Sequence, residues 1–175
     1  LEDFFSNWTS RSEILVLTGA GISAESGIST FRDSGGLWEN YKIEDVATPE
    51  AFLNDSEKVI SFYNLRRAAA SKAMPNLAHT ELGRLGTQLG NRFHLVTQNV
   101  DSLHEEGGSP QVCHMHGELF KLRCLQNNFH QLSWKGEQHP TDLCPYCFGE
   151  LRPDIVWFGE EPYHLKKIWN KALHC

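Results

Sequence analysis

The chain has 175 residues, 40% of them hydrophobic, and a formal net charge of −6. That length supports one sizeable core with room for an inserted module, while the acidic balance, with no basic run beyond a pair, excludes a surface that tracks nucleic-acid phosphates. No stretch approaches the roughly 20 apolar residues of a membrane span, and "LEDFFSNWTSRSE" lacks the basic start and apolar centre of a secretory signal. The expectation is a cytoplasmic protein with neither nucleic acid nor membrane as a partner.

In chain order, Ile14 to Leu17 is short, partly β-branched and followed by glycine, which predicts a buried parallel strand feeding a helix at Gly21 or Ile22. The stretch "STFRDSGGLWENYKIEDVATPEAF" mixes Gly, Pro, Ser and Asp with isolated aromatics and has no period, so it reads as a long loop with one short helix. From Asp55 to Ala73, a capping residue, early acids and helically spaced apolar residues predict a helix. A second helix follows in "PNLAHTELGRLGTQLG", opened by Pro75 and closed by Gly90. "RFHLVTQNVD" repeats the pattern of a strand followed by a polar turn. "QVCHMHGELFKLRC" holds two strand-like pieces around Gly117, and "PDIVWF" reads as a further strand before the helix in "YHLKKIWNKALHC". Strands alternating with helices predict an α/β fold, a Rossmann-like doubly wound parallel sheet with a small inserted helical and metal-binding module. The expected divisions are 1–38, 75–119 and 152–175 for the sheet domain, 39–74 for the helical insertion and 120–151 for the metal module.

Several stretches carry chemistry. "TGAGISA" fits G-x-G-x-x-A, in which the first glycine permits a tight turn, the second lets backbone approach a pyrophosphate and the small third position allows close packing, with phosphate at the helix start. A dehydrogenase would next show a strand ending in an acid about 20 residues on. The matching region, around Glu39, has no strand before it, so hydride transfer is disfavoured. "TQNVD" offers Gln98, Asn99 and Asp101 after a strand, where open α/β sheets place ligand contacts; a helix N-cap is the alternative role for Asn99 or Asp101. His114 and His116 are two apart and share a strand face. Tyr63 and Arg66 are three apart and share a helix face, where a phenol beside a guanidinium fork suits a carboxylate; their neighbour Arg67 reads as solvated. The five cysteines are odd in number, which with no secretion signal points to metal or free thiols. Cys144 and Cys147 in "CPYC" form half of a tetrahedral zinc site, Cys124 supplies a third ligand, and the fourth is left among His130, His139 and water. Cys113 and Cys175 read as incidental thiols.

With "GAGISAESGISTFR", "GGLW", "TQNVDSLHEEGG", "HMHGEL" and "PDIVWFGE" in this order and spacing, nearly the whole chain resembles the sirtuins, NAD-dependent protein-lysine deacylases. The resemblance implies NAD as cofactor and acylated lysine side chains of proteins as partners. It implies that the lysine acyl group passes to ADP-ribose as nicotinamide leaves. It implies cofactor contacts from Gly19, Ala20, Gly21, Ile22, Glu25, Thr30, Phe31, Arg32, Trp38, Gln98, Asn99 and Asp101, and His116 as general base, with a core histidine as its bland alternative and His114 as the other candidate. Val156 and Phe158 resemble the edge that pairs with substrate peptide. Ala47, Tyr63 and Arg66 resemble the pocket of the subgroup that removes succinyl and malonyl as well as acetyl groups. Sirtuins usually carry a further cysteine where this chain has Asn127, and they continue past the position of Cys175 with another strand and cofactor loops, so the resemblance implies a sheet domain incomplete at that end. Mono-ADP-ribosyl transfer to protein uses the same cofactor and site and is the enzymatic alternative; a module that holds acylated peptides without turnover is the non-enzymatic one.

Overall fold

The computed structural model describes residues 12–28 and 41–175. Thr30, Phe31, Arg32 and Trp38, expected at the cofactor, lie outside the described residues. Three parallel strands, β1 (Ile14–Thr18), β2 (Phe93–Thr97) and β3 (Val112–His114), form one sheet in that order. Their register pairs Thr18 with Thr97 and Thr97 with His114, so three polar residues stand side by side at the carboxyl edge of the sheet. That edge is where open α/β sheets bind ligands. The fold class is the expected α/β, Rossmann-like arrangement.

Helix α1 (Gly21–Ala24) is a single turn, shorter than the strand-to-helix reading suggests. Its end is set locally: Gly27 takes a φ of 85°, and the Ile28 N–H returns to the Ser23 carbonyl at 3.3 Å, a glycine-terminated helix stop. The long loop expected before Asp55 contains two short helices, α2 (Ile43–Val46) and α3 (Pro49–Asn54). The second is legible in retrospect, because Thr48 accepts the Ala51 N–H and Pro49 opens the first turn. Asp55 caps α4 (Ser56–Ala70) through the Lys58 N–H at 2.9 Å. Asn76 starts α5 (Leu77–Leu89), one residue after Pro75, by a capping box with His79. A one-turn α6 (Leu103–Glu106) links β2 to β3, and α7 (Leu165–Ala172) follows the last strand.

The second sheet is antiparallel: β5 (Gln131–Ser133), β4 (Gly117–Cys124) and β6 (Leu151–Ile155), in that order. The strand read in "PDIVWF" therefore pairs antiparallel with β4 and takes no place in the parallel sheet. Pro153 fits this position because β6 is an edge strand and needs no amide there for a second neighbour. Gly117 makes the pairing possible. Its φ is 85°, and a Cβ at this position would stand 2.0 Å from the Asp154 carbonyl oxygen, so only glycine admits so close an approach.

One core cluster joins α2, α3 and α4 to the second sheet through Val46, Phe52, Val59, Phe62, Tyr63, Leu119, Ile155 and Trp157. A smaller one packs Leu122 and Leu151 against Cys124 and Cys144. Arg67 is buried, with Nη2 donating to Asn64 Oδ1 at 2.5 Å and Nη1 to the Leu119 carbonyl, so the solvated role expected for it does not hold. Its register on α4 turns it inward, a consequence of helix phase that a two-residue comparison with Arg66 does not reveal. No helix among the described residues is long and apolar enough to cross a membrane.

Candidate active site

The carboxyl edge of the parallel sheet opens into a cavity of about 610 Å³. Polar groups stack at its sheet end. Thr18 Oγ1 donates to Thr97 Oγ1 at 2.9 Å, and Thr97 Oγ1 also accepts the Asn99 N–H at 3.0 Å, which folds the "TQNVD" turn back onto its own strand. Asn99 Nδ2 donates to Ser23 Oγ at 2.9 Å, and Ser23 Oγ donates to Asp101 Oδ2 at 3.1 Å. Asp101 Oδ1 accepts the Leu103 N–H at 3.1 Å, so this carboxylate both supports α6 and binds the glycine-turn segment. All three side chains are buried, and burial of polar groups is tolerable only because each is paired. Ser23 is a member of this set that the sequence reading missed. Its only sequence signal is its place in the motif, two residues after Gly21.

The two histidines divide their work by hydrogen bonding. His114 Nδ1 is 3.0 Å from the Asn99 carbonyl and its Nε2 is 2.8 Å from Glu105 Oε1. Both partners accept, an arrangement that favours the doubly protonated ring. Burial opposes that charge most strongly, but Glu105, with the Asn99 carbonyl and Glu118, holds the His114 pKa above its ordinary value. His116 Nδ1 is 3.1 Å from the Gln98 carbonyl. That fixes Nδ1 as the donor and leaves Nε2 as the basic nitrogen. His116 lines the cavity with Ala20, Gln98, Asn99 and Asp101.

The same cavity is also lined by Ala47, Tyr63, Arg66 and Trp157. Tyr63 is 1% exposed, and the Arg66 guanidinium carbon lies 5.5 Å from its ring centre and 5.8 Å from that of Phe62. Burial raises the Tyr63 pKa and lowers that of Arg66. Val156 and Phe158 line it as well. Their N–H groups donate to the His116 and Ala47 carbonyls, at 2.9 and 3.0 Å, so a peptide strand pairing here must use the carbonyls of the stretch. Of the remaining glycine-turn candidates, Gly19, Gly21, Ile22 and Glu25 are not among the residues that line the cavity. The turn nevertheless fits close approach: a Cβ at Gly19 would sit 3.5 Å from Gln98 Oε1, while the space beside Gly21 is open.

The cysteine module gathers four donors. Cys124, His130, Cys144 and Cys147 place ligand atoms within 4.8 Å of one another. Cys124 Sγ is 3.4 Å from Cys147 Sγ, and Cys144 Sγ is 3.4 Å from His130 Nδ1. Among the open choices for the fourth ligand, the described residues bring His130 to the group and leave His139 out of it. Asn127 stands behind the ring, its Nδ2 3.2 Å from His130 Nε2. Burial raises the Cys144 thiol, yet hydrogen bonds from the Tyr146 and Cys147 backbones, with Cys147 and His130, bring its pKa to about 7. Three sulfurs with one imidazole suit a tetrahedral structural zinc.

A model of the Sir2 family matches residues 19–175. An NAD-dependent protein deacylase of Escherichia coli (strain K12) is 52% identical over 163 residues, covering 91% of this chain and 58% of its own length. One of Vibrio vulnificus (strain YJ016) is 50% identical over 161 residues, covering 90% and 65%. The chain thus spans less than two thirds of the length of either. A crystal structure of a Sir2 homologue in complex with NAD superposes with a TM-score of 0.78 at 43% identity, covering 93% of this chain and 63% of that one. The paired Ser23, Asn99 and Asp101 and the His116 cavity thus lie inside a match that runs from the glycine turn to the last residue, and the chain belongs to the Sir2 family.

Proposed function

We propose that this chain carries the catalytic and acyl-binding part of an NAD-dependent protein-lysine deacylase acting on acetyl, succinyl and malonyl groups. The observation that carries the reading is one cavity lined both by His116, whose Nδ1 is held by the Gln98 carbonyl, and by the buried Tyr63 phenol with the half-buried Arg66 guanidinium. NAD, when bound, supplies the ribosyl carbon that accepts the acyl oxygen as nicotinamide departs. His116 Nε2 is the general base for a ribose hydroxyl, its ring held by the Gln98 carbonyl. Asn99 and Asp101, braced by Ser23, hold the nicotinamide end. Arg66 and Tyr63 receive a carboxylate at the tip of the acyl chain, which acetyl lacks, and Ala47 leaves the room for it. That pairing favours deacylation over mono-ADP-ribosyl transfer to protein, which makes no use of an acid-binding pocket. Zinc on Cys124, His130, Cys144 and Cys147 holds the module together and takes no part in the reaction.

The test is mass spectrometry of the full chain with NAD and matched succinyl-, malonyl- and acetyl-lysine peptides, scoring deacylated peptide and acyl-ADP-ribose. We expect both products from the native protein and neither from His116→Tyr. Products from His116→Tyr at the native rate would remove the histidine from its role, and ADP-ribosylated protein without deacylated peptide would favour the transferase.

A further inference from the structure

The phenol of the acyl pocket has its hydrogen-bonding direction set from behind. Tyr63 Oη receives the Trp157 Nε1–H at 2.9 Å, and the Arg66 guanidinium carbon lies 5.5 Å from the centre of the same ring. A phenol oxygen offers lone pairs and one hydrogen. With the indole N–H on one side of the oxygen, the hydrogen turns to the other, toward the cavity that Tyr63, Arg66 and Trp157 line together. Burial keeps that hydrogen in place by raising the Tyr63 pKa.

The indole is itself clamped. The Arg152 guanidinium carbon lies 3.3 Å from its ring centre, and a cation on the π-face polarises the indole and strengthens its N–H as a donor. The Trp157 backbone N–H donates to Glu160 Oε2 at 2.8 Å, and Glu160 in turn accepts from Arg152 Nη1 at 2.7 Å and Nη2 at 2.9 Å. Phe52 packs on the indole with ring centres 5.4 Å apart. Trp157 is 2% exposed, so it cannot exchange Tyr63 for water.

We propose that Trp157 is a specificity-determining residue of this pocket: its indole N–H orients Tyr63 so that the phenol hydrogen points at the acyl tip, selecting chains that end in a carboxylate. The proposal rests on the deacylase reading above. An acetyl group has no acceptor at its tip and gains nothing from the orientation, whereas a carboxylate accepts only and requires a donor. Sequence position hides this role, because Trp157 lies between the two residues read as the peptide edge.

The experiment compares kcat/KM for succinyl- and acetyl-lysine peptides in the full chain at saturating NAD. It uses the native protein, Trp157→Phe, Tyr63→Phe and the double variant. A fifth form carries 3-benzothienylalanine at position 157, which keeps the fused ring and removes only the N–H, so loss of packing is separated from loss of the hydrogen bond. We expect the succinyl-to-acetyl ratio to fall roughly tenfold in both position-157 variants, chiefly through KM for the succinyl peptide. We expect the double variant to lose no more than Tyr63→Phe alone, because the indole acts through the phenol. An unchanged ratio with the benzothienyl residue, or losses that multiply in the double variant, overturns the assignment while leaving the deacylase reading intact. A native protein that removes neither group, or only acetyl, overturns the reading itself and the Trp157 assignment with it.

Discussion

His114 and His116 sit two residues apart, yet the acceptors around them give them different hydrogen-bonding roles. Glu105 and the Asn99 carbonyl occupy both nitrogens of one ring as acceptors; the Gln98 carbonyl occupies a single nitrogen of the other. The first ring thereby braces the "TQNVD" turn through both nitrogens, and the second leaves Nε2 to the cavity it lines. The same logic of counted donors governs the proposed acyl site. Arg66 is the charge there, and a guanidinium that meets a carboxylate in a buried site contributes roughly 1.5–3 kcal/mol per hydrogen bond. Arg66→Met keeps the stem and removes the fork. The succinyl-to-acetyl ratio of kcat/KM is expected to fall by roughly tenfold or more, measured by letting the two peptides compete in one reaction. A ratio that does not move would mean that the guanidinium serves the fold and not the substrate.

Elements bring these residues together at two close approaches. At Gly117, β4 turns away from the His116 site and pairs at once with β6, with no room for a Cβ against the Asp154 carbonyl. Gly117→Ala combines that clash with a φ of 85°, and destabilisation of about 2–4 kcal/mol is expected. Equilibrium denaturation reads it directly, and a loss under about 0.5 kcal/mol, the range of an ordinary surface substitution, would show that the β4–β6 start is not held so tightly. The second approach joins the cysteine module to α4. Gln138 N–H donates to Asn64 Oδ1 at 2.9 Å, Asn64 Nδ2 returns to the Gln138 carbonyl at 2.8 Å, and the Gln138 side chain reaches the Leu151 carbonyl at 2.9 Å. The helix that carries Tyr63 and Arg66 is therefore tied to the segment between His130 and Cys144. Cys144→Ser is expected to lower bound zinc well below one equivalent by elemental analysis and to lower the melting temperature, because ligand binding to the folded state alone adds to its stability. Full zinc content in that variant would remove Cys144 from the ligand set.

Across the whole molecule, the readable parts were those written by local chemistry: the glycine turn, the capped helices, the "CPYC" half-site and the Tyr63 and Arg66 pair at helical spacing. What escaped reading depends on partners distant in sequence. The partner of β6 is chosen by Gly117, 34 or more residues earlier, and a strand's own residues do not say which neighbour it takes. The Trp157 indole meets Tyr63 across 94 residues, and Ser23 meets Asp101 across 78. The least legible feature is a buried histidine pair behind the sheet. His79 and His104 stand with ring centres 4.9 Å apart, 0% and 1% exposed. Thr18 gives its hydrogen to Thr97, so His104 Nε2 must donate to Thr18 Oγ1 at 2.9 Å, and its Nδ1 is buried without a hydrogen. Burial, with His79 nearby, lowers the His104 pKa to about 4, against the pull of Asp101 and Glu105; burial also lowers that of His79. A histidine whose folded pKa is depressed takes up protons first in the unfolded chain. Its contribution to stability is complete above the ordinary value of 6.5 and is lost as pH falls toward 4. For His104 alone the loss between pH 7 and pH 5 is about 2 kcal/mol. His114 runs the other way, because its raised pKa contributes stability below 6.5 that fades as pH rises through the folded value, so it offsets part of the slope. Urea midpoints of the full chain between pH 7 and pH 5 are expected to fall with pH, and to fall less in His104→Gln, whose amide can still donate to Thr18 but cannot titrate. Equal slopes in the two proteins would show that His104 is not the group that senses acid, and the carboxylates with lowered pKa, Glu13, Glu105 and Glu160, would then have to supply the loss at lower pH.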